Sequence, residues 1–292
     1  GDDALMPTLR IALGNDPQRL ALHYAAEGSG PPVLLLHGLG GFAESWRHNL
    51  PVLGHRLSAF ALDLPGHGLS DKPPVRYRLP FFVRVIDGFV ETLGLERVAL
   101  VGHSLGGAIA AAYAVAYPRR VSRLVFIGGA VPGFGYRLSW VYRLVAQRGV
   151  GEMIGRFAKP GLYRSALARC FAMPDGEEVA FLVQTSYETR AAPEGQAAYL
   201  STLREMRSDF TVDGGFYRKH LGALNLPALV IHGRRDPVVA PAHAERVAAG
   251  LRQATLRWID NCGHFPQIEH ADEVNRLLLE FLAPRPVSSL SK

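Results

Sequence analysis

Cysteine is scarce in this 292-residue sequence, which contains only Cys170 and Cys262. Two cysteines are too few for a disulfide framework, and in a chain of this length they are more often free thiols. No apolar run reaches the roughly 18 residues that a membrane-spanning helix needs. The first 20 residues also lack a basic start followed by an apolar block. We therefore exclude a disulfide-rich scaffold and a spanning helix, and we expect a cytoplasmic protein without an export signal.

Acidic residues are scarce in one part of the chain. The net charge of +6 arises between Val131 and Cys170, where seven basic residues accompany a single acid, Glu152. These basic residues are not interleaved with aromatic residues in a nucleic-acid-binding pattern, so we expect no nucleic-acid partner. Three interpretations remain: a solvated helix surface, which we favour, an anionic substrate, or an anionic membrane surface, which is not favoured. The seven basic residues are Arg137, Arg143, Arg148, Arg156, Lys159, Arg164 and Arg169.

Short apolar runs alternate with helical stretches in both end parts of the chain. Continuous runs of this length predict strands that are buried on both faces of a parallel sheet. The alternation predicts an α/β fold, in which a mostly parallel, twisted sheet carries helices on both faces. Between residues 128 and 227 the runs stop and helical periodicity takes over. We therefore predict a core of residues 1–130 and 223–292 with an inserted helical cap, residues 131–222. The runs are PPVLLLHG, LSAFALDL, RVALVGHS, VSRLVFIGG, LPALVIHG and ATLRWID.

Ser104 lies in the motif GHSLGG, between the apolar run RVALV and an alanine-rich helix. A serine at this point is either a nucleophile or the N-cap of the helix. Catalytic groups collect at the carboxyl ends of parallel strands, because the loops there open into a crevice. Gly102 and Gly106 permit a sharp turn at such an end. Strand, turn and helix together predict a nucleophile elbow.

A serine hydroxyl needs a base to take its proton, and the base needs an acid to orient it. His264 follows a predicted strand near the C-terminus, and Asp236 follows another strand upstream. The order Ser104, Asp236, His264 is the one expected on such a scaffold. Acyl transfer also needs backbone N–H groups directed at the oxyanion. We assign these donors to Leu39, in the glycine-rich loop HGLGG, and to Leu105, at the helix N-terminus.

These motifs resemble those of the α/β-hydrolase fold family over essentially the whole chain. The resemblance implies a serine-nucleophile hydrolase that needs no cofactor. Esterases, thioesterases and C–C bond hydrolases all share this fold, so the fold does not choose the substrate. The matching stretches are HGLGG (37–41), DLPGHGLSDKP (63–73), GHSLGG (102–107), GRRDPV (233–238) and GHFPQIE (263–269).

The substrate site is expected to be apolar. We predict that Gly38, His103, Trp140 and Phe265 line it, and the bulk of the cap side chains favours a small-molecule substrate with an apolar acyl or aryl group. Most of the large cap side chains are expected to form the core of the cap itself. No metal site is predicted, because the histidines near the C-terminus have no accompanying ligand cluster. The large cap side chains are Trp140, Tyr142, Met153, Phe157 and Phe171.

The choice of reaction depends on a few positions. Dehalogenases and epoxide hydrolases of this fold attack with a carboxylate, which Ser104 excludes. The stretch GHFPQIEHADEVNRLLLEFL resembles C–C hydrolases of ring-fission products. Those enzymes usually carry an asparagine where this chain has His103, and a cap arginine where alignment gives Ser186, although the nearby Arg190 can substitute. We therefore predict hydrolysis of a carboxylic ester or thioester through an acyl-enzyme. C–C hydrolysis and a non-catalytic binding protein are the alternatives, and the oligomeric state is not indicated.

Overall fold

The computed structural model describes residues 7–13, 19–157 and 159–283. Its centre is an eight-stranded sheet with the strand order β1-β2-β4-β3-β5-β6-β7-β8. Strands β3 to β8 pair in parallel, whereas β1 and β2 pair antiparallel at one edge. The strands are β1 Thr8–Ala12, β2 Arg19–Glu27, β3 Pro32–Leu36, β4 Ser58–Leu62, β5 Val98–His103, β6 Val121–Ile127, β7 Pro227–Gly233 and β8 Gln253–Ile259.

All six predicted apolar runs form strands, β3 to β8, which confirms the parallel part of the sheet. The sequence patterns do not predict β1 and β2. These strands lie at the sheet edge and alternate in burial: Leu20 and Leu22 are buried, whereas Arg19 is exposed. A strand that is covered on both faces is a continuous apolar run, whereas a strand with one covered face has alternating residues and no such run.

Helices cover both faces of the sheet, as predicted. Successive residues of β3 show the two faces: Leu34 and Leu36 join one core cluster with residues of α2 and α3, and Val33 and Leu35 join another with residues of α1 and α12. The helices are α1 Leu50–Gly54, α2 Leu79–Thr92, α3 Leu105–Ala116, α4 Trp140–Val145, α5 Val150–Phe157, α6 Pro160–Ala168, α7 Gly176–Arg190, α8 Pro193–Thr211, α9 Gly214–Ala223, α10 Pro241–Gly250, α11 Pro266–Glu269 and α12 Ala271–Leu282.

Among the described residues, six helices, α4 to α9, separate β6 from β7 in the chain. Helix α6 packs on α7, α7 on α8 and α8 on α9, and α9 rests on α3 of the core. We call residues 131–222 the helical insertion; its division from the core at residues 130 and 223 stays a prediction. No helix in the described ranges is long and apolar enough to cross a membrane.

Several large apolar side chains of the helical insertion are exposed. Trp140, Met153 and Phe157 have exposed fractions of 69%, 56% and 71%, whereas Phe171 is buried. Tyr142 is half-buried. The prediction that Trp140, Met153 and Phe157 form the core of the cap is therefore wrong. The prediction fails because α5 packs on α4 and α8, and its opposite side remains in solvent.

Candidate active site

Ser104 occupies a strained backbone turn between β5 and α3. Its φ is +51°, and among the described residues Asn261 is the only other non-glycine residue with positive φ. Such a conformation costs about 1–3 kcal/mol. Gly106 allows α3 to approach the sheet, because a Cβ there would lie only 2.1 Å from the carbonyl oxygen of Leu36. The structure describes every residue of α3, and the Ser104 side chain makes no capping hydrogen bond to this helix. This argues against the N-cap alternative.

Asp236 and His264 form a buried pair. The Nδ1 atom of His264 lies 2.8 Å from Oδ2 of Asp236. The backbone N–H groups of Val238 and Val239 donate to the other carboxylate oxygen at 2.8 and 2.9 Å. Burial alone would raise the pKa of Asp236, but the adjacent imidazole and the hydrogen bonds lower it below its ordinary value. Because an ionised carboxylate only accepts, Nδ1 of His264 carries a proton, and in the neutral imidazole Nε2 then keeps its lone pair.

The loops after β3, β5, β7 and β8 meet at one edge of the sheet. A Cβ at Gly38 would lie 3.0 Å from the Cβ of Ser104. A Cβ at Gly128, which follows the neighbouring strand β6, would lie 3.3 Å from Nδ1 of His264 and 3.4 Å from Oδ2 of Asp236. The structure thus brings the three predicted triad residues and the HGLGG loop to the same carboxyl-end edge.

Of the two predicted oxyanion donors, Leu105 directly follows Ser104 in the chain, and Leu39 follows Gly38, which adjoins Ser104. Leu105 is the first residue of α3, where backbone N–H groups have no intrahelical partner. Leu39 follows Gly38 in the HGLGG loop. His37 holds that loop, because its Nδ1 lies 2.7 Å from the Gly38 carbonyl oxygen and its Nε2 accepts a backbone N–H from the segment after β4 at 3.0 Å. The assignment of Leu39 and Leu105 as donors stays a prediction.

His103 is a buried, neutral neighbour of His264. Burial, together with a smaller contribution from the nearby imidazole of His264, lowers the pKa of His103 to about 3. Its Nε2 lies 2.8 Å from the carbonyl oxygen of His264. Since a carbonyl only accepts, the His103 proton lies on Nε2. Nδ1 then keeps a lone pair, 3.2 Å from where a Cβ at Gly38 would stand. On the side of Ser104, His103 therefore offers an acceptor.

Phe265 and Phe171 form an aromatic wall beside His264. Their rings stack at 4.8 Å with an interplanar angle of 12°. The Phe265 ring centroid lies 4.9 Å from that of His103 and 5.4 Å from that of His264. The structure does not bring Trp140 into this wall: it is 69% exposed at the start of α4. That Trp140 lines the substrate site stays a prediction.

Arg190 brings a cation from the helical insertion to the HGLGG loop. Its Nη1 atom lies 3.3 Å from where a Cβ at Gly40 would stand. The guanidinium lies over two rings, 5.0 Å from the centroid of Tyr163 and 4.5 Å from that of Tyr199. Its Nε is buried and has no hydrogen-bond partner within the described part of the chain. Ser186, one turn earlier on α7, donates to the Gly40 carbonyl oxygen at 2.8 Å.

Comparison with known proteins identifies the family. Residues 31–271 match the family model of the alpha/beta hydrolase fold. This chain belongs to the α/β-hydrolase fold family. It is 32% identical over 273 residues to a 2-hydroxy-6-oxononadienedioate/2-hydroxy-6-oxononatrienedioate hydrolase from Paraburkholderia phymatum, a match that covers 90% of this chain and 91% of the relative.

Two solved structures share the architecture of this α/β hydrolase along almost its whole length. The 2-hydroxy-6-oxo-6-phenylhexa-2,4-dienoate hydrolase from Rhodococcus sp. strain RHA1 has a TM-score of 0.81 and 26% identity, over 94% of this chain and 98% of that one. A thermophilic esterase from Thermogutta terrifontis has a TM-score of 0.80 and 25% identity, over 94% and 98%. Because a dienoate hydrolase and an esterase fit about equally well, the fold leaves the substrate open.

Glu269, which sequence reasoning missed, ties the histidine loop of this α/β hydrolase to the helical insertion. One carboxylate oxygen accepts the N–H of Gly263 at 2.9 Å, and the other accepts the N–H of Ala172 at 2.8 Å. The N–H of His264 donates to the carbonyl oxygen of Cys170 at 2.7 Å. The sequence signal is an acid five residues after His264 in GHFPQIE. That spacing alone predicts no partner, because the partner is 97 residues away in the chain.

Proposed function

We propose that this α/β hydrolase cleaves a C–C bond in a 2-hydroxy-6-oxo-dienoate, with Ser104, His264 and Asp236 as its triad. Ester hydrolysis, the first choice from sequence, becomes the second candidate. In the proposed reaction Oγ of Ser104 attacks the keto carbon and Nε2 of His264 takes the proton, while Asp236 keeps His264 oriented. Leu39 and Leu105 donate their N–H groups to the oxyanion, a contribution of about 3–4 kcal/mol per donor.

Arg190 is the observation that carries this proposal. A 2-hydroxy-6-oxo-dienoate has a carboxylate at one end and a ketone further along the chain, so its site needs a cation at some distance from the nucleophile. The Arg190 guanidinium adjoins Gly40, two residues beyond the glycine that contacts Ser104. Its buried Nε has no partner among the described residues. A substrate carboxylate would supply that partner through a charge-assisted hydrogen bond. Similarity to the Paraburkholderia hydrolase supports the same substrate class.

Cleavage of a C–C bond requires a stabilised carbon leaving group. The dienol first transfers its hydroxyl proton to C5, which gives a 2,6-dioxo compound. Attack of Ser104 on C6 then breaks the C5–C6 bond, and the electron pair delocalises from C5 onto the C2 oxygen. The proton that His264 accepted returns to this leaving group, and water hydrolyses the acyl-Ser104 ester. Binding of the carboxylate by Arg190 brings the adjacent C2 oxygen close to positive charge. This charge stabilises the negative charge that develops on the C2 oxygen.

Ester or thioester hydrolysis is the second candidate, and His103 favours it. C–C hydrolases that this chain resembles usually carry an asparagine there, whose amide can donate an N–H. The single N–H of neutral His103 is directed to the His264 carbonyl at 2.8 Å. His103 therefore has no donor left for a dienolate oxygen. An ester releases an alkoxide and a thioester releases a thiolate, and neither needs such a donor because His264 can protonate it directly.

Relative rates on two substrates separate the candidates. We expect kcat/KM for 2-hydroxy-6-oxo-6-phenylhexa-2,4-dienoate to exceed that for p-nitrophenyl butyrate by ~100-fold or more, equivalent to about 2.7 kcal/mol of transition-state discrimination. Both rates are compared with those of Ser104→Ala. An equally large preference for the ester over the dienoate would reject C–C hydrolysis in favour of the second candidate. Turnover of either substrate that survives Ser104→Ala would contradict the triad.

We also propose that the helical insertion is a cap over the site and that the protein works in the cytoplasm. Contact of Arg190 with the HGLGG loop and of Phe171 with Phe265 supports the cap. The same aromatic pair suits an apolar acyl or aryl group. The free thiols of Cys170 and Cys262 support a reducing compartment.

A further inference from the structure

The segment of the chain that forms α4, α5 and α6 concentrates exposed apolar side chains. The described residues contain eleven large apolar side chains that are exposed, and six of them lie between residues 140 and 162. Helices α4 and α5, which carry five of these six, pack on each other. Exposed apolar residues on a monomer are ordinarily scattered singly, so their concentration on two adjoining helices indicates an interaction surface. The six are Trp140, Val141, Leu144, Met153, Phe157 and Leu162.

Helix α5 has one face that is buried against α8 and one face that is open to solvent. A Cβ at Gly151 would lie 2.6 Å from the side chain of Leu200 in α8, and a Cβ at Gly155 would collide with another α8 side chain. These glycines, four residues apart, therefore turn one helix face to α8. Met153 and Phe157 share the other face and are 56% and 71% exposed. The short residues thus bring the helix onto the insertion while the large ones project outward.

Basic side chains alternate with these apolar side chains along the same segment. All seven arginines and lysines between residues 131 and 170 are exposed. The one acid of the segment, Glu152, pairs with Arg204 of α8 at 2.8 Å, so it does not neutralise its neighbours. A symmetric contact between two copies of the chain would bring this surface against itself and set the same cations against each other. An anionic surface attracts all of them at once.

We infer that these six apolar and seven basic side chains, together called the basic apolar face, bind the anionic phospholipid headgroups of a bilayer. Short amphipathic helices with arginine and lysine beside exposed Trp, Phe and Leu are the elements that lie in a membrane interface. Trp140 lies at headgroup depth, where indole rings are enriched, and Met153, Phe157 and Leu162 enter the acyl boundary. The seven basic side chains contact the lipid phosphates. The negative potential of the cytoplasmic leaflet supplies the required surface.

Trp140 provides a direct readout of this binding in the full chain. Of the three tryptophans Trp46 is buried and Trp258 is half-buried, so Trp140 alone is exposed. We expect its emission to shift to the blue with phosphatidylcholine vesicles that contain phosphatidylglycerol, and not with pure phosphatidylcholine. The protein should co-sediment with the anionic vesicles only. Salt near 1 M, where the Debye length is ~3 Å, should release it. Trp140→Phe should abolish the spectral shift while the protein still co-sediments.

Paired variants separate the basic apolar face from general surface charge. Arg143→Glu with Arg156→Glu should lower the fraction bound to anionic vesicles at least ~10-fold, because each cation near an anionic leaflet contributes to binding. The matched control is Arg84→Glu with Arg252→Glu, which makes the same charge change at exposed positions outside the helical insertion. This control should bind within about twofold of wild type. Circular dichroism verifies that each variant is folded.

A second pair of variants tests the apolar contribution. Phe157→Ser should weaken vesicle binding several-fold, whereas Phe216→Ser, at a residue that is 55% exposed on α9, should not. Equal binding to neutral and anionic vesicles would overturn the inference, as would equal losses in the test and control variants. A blue shift that grows with protein concentration in the absence of vesicles would instead identify a second copy of the chain as the occupant.

Discussion

Replacing Arg190 with glutamine tests whether α7 supplies the carboxylate site of the substrate. A hydrogen bond from a charged donor contributes about 1.5–3 kcal/mol, which equals roughly 10- to 150-fold in binding. Arg190 Nη1 lies 3.3 Å from the Cβ position of Gly40, and its buried Nε lacks a partner in the part of the chain described. The substrate carboxylate thus loses a charged partner, whereas the rings of Tyr163 and Tyr199 lose a weaker contact. We expect KM for the phenyl dienoate to rise by roughly 10- to 150-fold, with a fall in kcat because the developing C2 oxyanion also loses its neighbouring charge.

Two further variants separate charge from shape. Arg190→Lys keeps the charge but loses the planar guanidinium that lies over the rings of Tyr163 and Tyr199, so it should give an intermediate KM. Arg47→Gln is the matched control. Arg47 also lies over an aromatic ring of α7, Phe181 at 3.9 Å, but it is already paired with Glu178. Its replacement should leave KM for the dienoate unchanged.

Steady-state kinetics on a charged and a neutral substrate give the decisive comparison. For Arg190→Gln, kcat/KM for p-nitrophenyl butyrate should change by less than ~3-fold, because this ester has no carboxylate to pair with a cation. Equal losses for both substrates would mean that Arg190 only holds the HGLGG loop. An unchanged KM for the dienoate would refute the carboxylate site, and with it the main support for C–C hydrolysis.

Three other measurements have defined outcomes. Ser104→Ala should lower kcat by at least ~10⁴-fold without a change in Tm, since triad members act as a unit, and retention of a tenth of the activity would contradict the assignment. Glu269→Ala should lower kcat at least ~10-fold. Glu269→Gln keeps one acceptor and should lower kcat by a smaller factor. Full activity of the alanine variant would exclude a positioning role. Thermal stability should decline as the pH falls from about 6.5 towards 4. Burial lowers the pKa of His67 and His243 to about 4 and that of His103 to about 3. The unfolded chain therefore binds protons at these histidines at a higher pH than the folded chain does. A Tm that stays constant between roughly pH 7 and pH 5 would contradict this expectation.

The parallel sheet was predictable because its strands are buried on both faces. Val33 and Leu35 contact one core cluster while Leu34 and Leu36 contact the other, so the strand must be apolar at every position. That requirement leaves an uninterrupted run in the sequence. The edge strands β1 and β2 escape the same argument, since an uncovered face can carry polar residues and the run is then broken.

The positions of Ser104, Asp236 and His264 were predictable for a related reason. Each lies just after an apolar run, and parallel strands bring their carboxyl ends together whatever the loops contain. The hydrogen-bond roles within the site do not follow in this way. Only the 2.8 Å contact of His103 Nε2 with the His264 carbonyl shows that His103 has no N–H to offer the substrate. The motif GHSLGG is compatible with either ring orientation, because it does not determine what lies opposite the imidazole.

The helical insertion was the least predictable part, and Trp140 and Arg190 show why. Tryptophan is ordinarily well buried and arginine is ordinarily in water. Here Trp140 is 69% exposed and the Nε of Arg190 is buried without a partner among the described residues. Residue preferences predict burial correctly when the chain itself supplies the surroundings. Where a side chain is matched to a group outside the chain, the same preferences predict the wrong location. The inversion at Trp140 is what an external apolar phase would produce, and the inversion at Arg190 is what an external carboxylate would produce.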